Sequence, residues 1–393
     1  MRNRSLCYFI TILLLLLLVV VFLILGIWGI SQWFGGEISD NQADVFYSES
    51  YKRAAEIVKK LNLLPNSTWE ARLNPSAIEI ENQDRSSFVI SNDSLGAELQ
   101  TKLEELDGIV EGSEFREHYK RHVKILSSVE GIPTEFHASD KWPECTSLTE
   151  VLDQGGCGSC WAMAAVSVIG DRMCIASSGL RRPKISAQQL IECCYYCGGC
   201  NGTMDPLTPF IYWFESGIVT ESCYPYTIAT DCGYPCLPET FYPTKGLGKC
   251  RKNCVNRRER FIRNYAKYVY KIASLKVLVN QATLYDVYTS LFGKNITSLE
   301  LVKLDLMTFG PVVLCFNVFE SFLHYYQGIY NKNMGIHVYD HCVKIIGWNH
   351  DGSHEYLLAV NSWSPKWAFN GTFKIDLEML HNFRSDFYAG VPI

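Results

Sequence analysis

Asp153-Gln154-Gly155-Gly156-Cys157-Gly158-Ser159-Cys160-Trp161-Ala162 sets two cysteines behind a glycine-rich turn and directly ahead of an apolar run. Taken alone, the spacing fits a redox pair or half of a zinc site, and a single cysteine in an apolar chain is more often buried or bridged than reactive. The residues downstream narrow the choice. Trp161-Ala-Met-Ala-Ala-Val-Ser-Val-Ile-Gly170 is apolar, free of proline and long enough for a buried helix, so Cys160 is expected to open that helix. Backbone N–H groups at a helix start favour negative charge, and a thiolate there beside an imidazolium can have a pKa several units below the free value of about 8.5. The expectation is a nucleophile near neutral pH.

A thiolate nucleophile needs an acid for its leaving group, and the chain has nine histidines. His118, His122 and His137 precede the turn, in what is assigned below to a proregion and its boundary, while His350, His354 and His381 lie in polar or turn-like surroundings. His341 differs. It starts His341-Cys-Val-Lys-Ile-Ile-Gly-Trp348, a strand-like run, and a rigid strand suits a general base. Further on, Tyr356-Leu-Leu-Ala-Val-Asn361-Ser-Trp363 reads as a second strand ending in an amide that could orient the imidazole.

With Cys157-Gly-Ser-Cys-Trp161, His341 and Asn361-Ser-Trp363 in that order, the chain resembles the papain family of cysteine proteases, and within it the cathepsin B-like branch, over roughly residues 133–393. The resemblance implies an α+β, two-lobed papain-like fold with a helical lobe, a β-rich lobe and the active site in the cleft between them. It implies Cys160 as nucleophile, His341 as acid/base, Asn361 as the orienting residue, Trp363 as cover for their hydrogen bond, and Gln154 as the oxyanion donor. Losing one such donor typically costs about 2.7–4 kcal/mol of barrier lowering. The activity implied is that of a cysteine endopeptidase made as a proenzyme, acting on peptides, inhibited by its own propeptide and needing no cofactor. The alternative is a catalytically impaired, adhesive relative that keeps the fold; the intact Cys160, His341, Asn361 and Gln154 argue against it.

The same resemblance implies the disulfides Cys145–Cys174, Cys157–Cys200, Cys193–Cys250, Cys194–Cys197, Cys223–Cys254 and Cys232–Cys236. Of the sixteen cysteines this leaves Cys7, Cys160, Cys315 and Cys342. The last two lie in apolar strand-like runs and are expected as buried thiols, with a seventh bridge as the alternative. Zinc is disfavoured because bridges consume the metal-like spacings.

Several positions depart from the family pattern. Cys200-Asn201-Gly202-Thr203 has threonine for the second glycine of the substrate-pairing wall formed with Gly202, so Thr203 is expected to hinder a close backbone approach. Ala368 replaces the glycine usual in the family, and Cys342 stands where alanine or glycine is common. Aligning Ala389-Gly-Val-Pro392 with the family's C-terminal Ala-Gly-Ile-Pro puts Asp386 at the base of the second specificity pocket, where it should attract a basic side chain. The segment 223–254 has none of the histidines by which the branch grips a terminal carboxylate, leaving Lys249, Arg251 or Lys252 as substitutes.

Composition sets the frame: 393 residues, 48% hydrophobic and 20% charged, can bury a sizeable core. A net charge of -5 without a Lys/Arg run excludes nucleic acid as a natural partner. Residues 1–30 start with Arg2 and Arg4 and continue as an apolar run over 8–30, long enough to span about 30 Å of hydrocarbon. No good cleavage site follows, so a signal anchor is expected, with a single-pass type II topology and a lumenal protease in the secretory or endolysosomal pathway. A cleaved signal, giving a soluble secreted or lysosomal protein, is the alternative. Cys7 could be palmitoylated or simply free.

Residues 31–132 are then a proregion or stalk, and 133–393 the protease domain. Ala54, Ile57, Val58, Leu61 and Leu64 predict a helix ended by Pro65, and Leu95, Leu99, Leu103 and Leu106 a second. The first lobe is expected to run to about residue 290. The second, from Pro311, should have strands at 312–318, 342–348, 356–360 and 372–375. Asn66, Asn92, Asn201, Asn295 and Asn370 start glycosylation sequons.

Overall fold

The computed structural model describes residues 49–78, 97–236, 248–275, 283–382 and 385–393. The chain divides into two units, 1–53 and 54–393; of the first, only the opening residues of a helix are described. The anchor expected over 8–30, Cys7 and the Asn92 sequon lie outside the described residues, among which no helix is long and apolar enough to cross a membrane.

Among the described residues upstream of the protease domain are three α-helices and a short strand. Helix α1 (Glu49–Asn62) buries Ala54, Ile57 and Leu61 on one stripe, as the spacing predicts. Strand β1 (Trp69–Ala71) buries alternate residues. Helix α2 (Ala97–Val110) matches the leucine spacing, whereas α3 (Ser113–Ser127) has no counterpart among the expectations. Its buried residues Phe115, Tyr119, His122, Val123 and Leu126 still recur at helical spacing.

The domain proper starts with β2 (Phe136–His137), followed by the buried helix α4 (Cys160–Ala176) and the shorter α5 (Ala187–Cys193) and α6 (Thr208–Glu215). Strand β3 (Ala266–Ser274) precedes α7 (Leu284–Phe292) and α8 (Ser298–Phe309). Both helices start in a capping box, Thr283 with Asp286 and Thr297 with Glu300, in which side chains and backbone satisfy each other's orphan groups. The strands β4 (Val312–Phe319), β5 (Tyr325–Tyr330), β6 (His337–Asp351), β7 (His354–Val360), β8 (Thr372–Asp376) and β9 (Ser385–Pro392) complete the sheet. Its order is β1-β5-β8-β7-β6-β4-β9-β3, with β2 paired to β6. The α+β class and the four expected strands are present, but the division near residue 290 is not. Strand β3 pairs along its whole length with β9, so the sheet takes in residues well before that point. Helix α4 packs on β6 and β9, which brings the turn before Cys160 to the strands carrying His341 and Asp386.

All six disulfides implied by the resemblance are formed. Cys315 and Cys342 are not free thiols as expected: they make a seventh bridge, because the antiparallel register of β4 and β6 sets them directly opposite, Cα to Cα at 4.0 Å. Cys223, Cys254 and Glu259 converge as a metal site might, but both sulfurs are in a disulfide, which leaves no thiolate ligand.

Candidate active site

The turn ahead of Cys160 is held on both sides. Gly155 has φ +53°, and a Cβ there would lie 2.1 Å from the Ala229 carbonyl oxygen, so this position needs glycine. The Cys157–Cys200 bridge, the Gly158 N–H to Cys200 O bond of 2.9 Å and the Trp161 Nε1–H to Gly199 O bond of 3.2 Å fix the opposite wall. Cys160 is the first residue of α4, as expected, and is 3% exposed.

Gln154 is bound to the strand end that carries Asn361. Its N–H donates to Ser362 O at 2.9 Å, and the Ser362 hydroxyl donates to its Oε1 at 2.8 Å. Its Nε2 donates to Cys157 O at 3.0 Å, which uses one amide hydrogen and leaves the second for an oxyanion. Tyr226, which the sequence reading passes over, bonds the Gln154 carbonyl at 2.6 Å and the Ser159 hydroxyl at 3.1 Å with one phenol. The Gln154 backbone and Ser159, the residue ahead of α4, are therefore tied to one side chain.

His341 on β6 donates from Nε2 to Asn361 Oδ1 at 2.7 Å, and the Trp363 ring stacks over it with centroids 4.5 Å apart. The Ser362 N–H also donates to that Oδ1 at 2.7 Å, so the amide oxygen is fixed as the acceptor. The neutral imidazole then keeps Nδ1 free of hydrogen, able to take a proton. The next residue on β6, Cys342, hydrogen-bonds through its backbone to the Cys160 sulfur, so nucleophile and base candidates meet at the junction of α4 and β6.

The protonation state differs from expectation. Burial pushes the Cys160 thiol up to about 11, outweighing the backbone hydrogen bonds of Cys342, Trp161 and Cys160 itself. Burial likewise pushes His341 down to about 4, against the raising effect of Asn361. The pair is thus a neutral thiol and a neutral imidazole, because removal from water penalises both charged forms more than the helix start and the amide favour them.

A family profile described as papain family cysteine protease matches residues 132–382. The chain belongs to that family. It is 33% identical over 333 residues to cathepsin B-like cysteine proteinase 6 of Caenorhabditis elegans, covering 77% of this chain and 81% of that protein. It is 31% identical to cathepsin B-like protease 1 of Arabidopsis thaliana, covering 81% and 78%. Among solved structures, procathepsin B S9 of Trypanosoma congolense superposes with a TM-score of 0.58 at 22% identity, covering 86% of this chain and 98% of that one; the likeness speaks to the fold. The protein is accordingly a cathepsin B-like cysteine protease.

Other positions in the protease change their reading. Thr203 is 1% exposed, and its hydroxyl donates to Asp205 O at 3.1 Å. Ala368 holds φ +50°, a left-handed conformation that costs a residue with a Cβ about 1–2 kcal/mol and explains why glycine is usual there. Asp386 is 2% exposed, 3.0 Å from the equally buried Lys271 Nζ and accepting the Ser274 hydroxyl. Its charge is already met, which overturns the expectation of a carboxylate waiting for a basic substrate residue. A lysine within the buried strand Tyr268-Val-Tyr-Lys271-Ile was the signal for this partner, since a buried lysine requires a counter-charge. Arg251 stacks 4.1 Å over the Tyr224 ring.

The upstream segment binds along β5. Strand β1 pairs antiparallel to it, and Thr68 exchanges bonds of 2.8 and 2.6 Å with the N–H and C=O of Ile329. Asn74 then donates its N–H to His324 Nδ1 at 3.2 Å and its amide to Tyr234 O at 2.6 Å and Leu323 O at 3.1 Å. His324 is another residue that the sequence reading does not single out.

Proposed function

We propose that the protease is an endopeptidase in which Cys160 attacks the peptide carbonyl. The observation that carries this reading is the 2.7 Å bond from His341 Nε2 to Asn361 Oδ1 beneath Trp363, since it leaves Nδ1 as the ring nitrogen able to take a proton. The Cys160 proton passes to His341 Nδ1 and the sulfur bonds the carbonyl carbon. The oxygen that becomes negative accepts from the free Gln154 Nε2–H and the Cys160 N–H. The imidazolium then protonates the departing amine, leaving a thioester that water hydrolyses through the same imidazole acting as base. The neutral pair of the proenzyme becomes competent only when the cleft is opened to water, which lowers the thiol and raises the imidazole.

The absence of histidine from residues 223–254 and the stacking of Arg251 on Tyr224 favour internal cutting over trimming of C-terminal dipeptides. With Asp386 neutralised by Lys271, substrates with an apolar residue at the second position before the cut should outperform those with arginine. A preference for arginine in a peptide library would refute that assignment. Seven disulfides, together with the basic start and apolar run over 1–30, favour a lumenal protease held by an uncleaved anchor.

An epoxide thiol reagent applied to acid-activated enzyme should modify Cys160, and Cys160→Ala should abolish both labelling and peptide hydrolysis. A protein that sheds its upstream segment yet takes no label would be the adhesive relative instead.

A further inference from the structure

Helix α3 lies just before residue 132, where both the expected mature start and the family match begin, and so falls in a region that would be discarded on activation. Its packing is that of a core element. Val123 and Leu126 are 0% exposed, and its apolar residues belong to the same cluster as those of α4, β3 and α8. Phe115 meets Phe214 edge-on at 5.0 Å, and the Tyr119 hydroxyl donates to Val269 O at 2.8 Å.

His122 makes the deepest contact. It is fully buried, with Nδ1 at 2.8 Å from the Tyr268 hydroxyl and Nε2 at 2.7 Å from Asp305 Oδ1, and its ring stacks on Phe309 at 4.3 Å. Asp305 also takes Arg172 Nη2 at 2.5 Å and the Tyr270 hydroxyl at 2.9 Å. Burial would raise its carboxyl, but Arg172 and His122 outweigh burial and hold it down to about 2. Arg172 belongs to α4, the helix that Cys160 opens, and its Nε donates to Pro311 O at 2.8 Å. Taking α3 away would open to water a charged network rooted in that helix, together with the aromatic faces of Tyr268, Tyr270 and Phe309.

We propose that α3 remains docked after activation, as a permanent part of the active enzyme seated on β3 and α8, and that only segments upstream of it are released. This rests on the reading of the chain as a protease activated by loss of its upstream segment. Strand β1 also buries Trp69 in the same cluster, edge-on to Tyr330 at 5.0 Å, but its polar contacts and those of Asn74 are neutral bonds to a strand edge, carbonyls and His324, whereas α3 ends in a buried charged network.

The test is a chain map of the activated enzyme. Proenzyme is activated by acid, passed over a sizing column under native conditions, and its peptides identified by mass spectrometry. A peptide containing residues 113–127 should co-elute with the catalytic domain, either continuous with residue 133 or as a separate chain. An active enzyme starting at or after residue 128, with no such peptide, overturns the proposal. Cys160→Ala protein cut by an added protease should give the same map, so that failure of the catalytic reading is told apart from failure of this one. In a second measurement, His122→Gln should lower the melting temperature of proenzyme and activated enzyme by the same few degrees. A drop confined to the proenzyme, with faster activation, would make α3 part of the discarded segment.

Discussion

Two stretches upstream of residue 132 reach the protease through a buried histidine, and they differ in what faces the imidazole. At Asn74 the ring belongs to the protease: His324 Nδ1 has to be unprotonated to accept the Asn74 N–H, and burial alone pushes it down to about 4. At α3 the ring belongs to the upstream chain and faces a carboxylate and a phenol. There both ring nitrogens have oxygen partners, Nε2 at 2.7 Å from Asp305 Oδ1 and Nδ1 at 2.8 Å from the Tyr268 hydroxyl. Acid can therefore loosen the first contact, which depends on an unprotonated Nδ1. One chain thus carries a detachable and a fixed upstream segment, told apart by the partner of a histidine.

The largest expected effect breaks the fixed contact. Asp305→Ala leaves Arg172 buried without its counter-charge, which should cost about 3–5 kcal/mol, read as a lower urea midpoint in proenzyme and activated enzyme alike. Loss in the proenzyme only would erase the distinction drawn above.

Next comes the pH dependence of the detachable contact. His324 and His341 both fall from 6.5 to about 4 on folding, so between those values the unfolded chain binds more protons than the folded one. Proenzyme stability is therefore fully present above pH 6.5 and is lost as pH falls toward 4, by at most about 3.5 kcal/mol per histidine at ~1.4 kcal/mol per pH unit. His324→Gln can still accept the Asn74 N–H but cannot titrate, and should move the midpoint of acid-triggered release to lower pH. An unmoved midpoint would assign the sensing to His341 or to residues outside those described.

The smallest effect sharpens the comparison. Asn74→Ala removes the amide bonds to Tyr234 and Leu323, worth about 1 kcal/mol in sum, and should speed release while leaving the melting temperature of the activated enzyme unchanged. A parallel drop in the activated enzyme would mean that this segment, too, is retained.

The arrangement of Cys160, His341, Asn361 and Gln154 was legible because each residue sits in a short motif whose local structure, a helix start or a strand end, the neighbouring residues dictate. What the sequence hides are consequences of register. Asp386 meets Lys271 and Ser274 because β3 and β9 pair with Ser274 opposite Asp386, and Cys315 meets Cys342 because β4 and β6 pair as they do. Neither register is readable from alternation in strands buried on both faces. Two helices could have been found: the capping boxes at Thr283 and Thr297 are sequence signals. Helix α3 could have been read from its spacing of Phe115, Tyr119, Val123 and Leu126, but charged residues dominate its composition and mask the stripe. The neutral thiol and imidazole follow from burial, which no motif reports.

The bridge between Cys315 and Cys342 also has a consequence for stoichiometry. Residues 49–393 hold fifteen cysteines, fourteen of them joined in pairs, and the fold leaves Cys160 as the odd sulfur. Had Cys315 and Cys342 stayed reduced, a thiol reagent would meet three sulfurs in this part of the chain, two of them next to the His341 strand. As it is, one equivalent of reagent taken up by residues 49–393 of the opened protein corresponds to one Cys160, so counting thiols on that portion counts the proposed nucleophile.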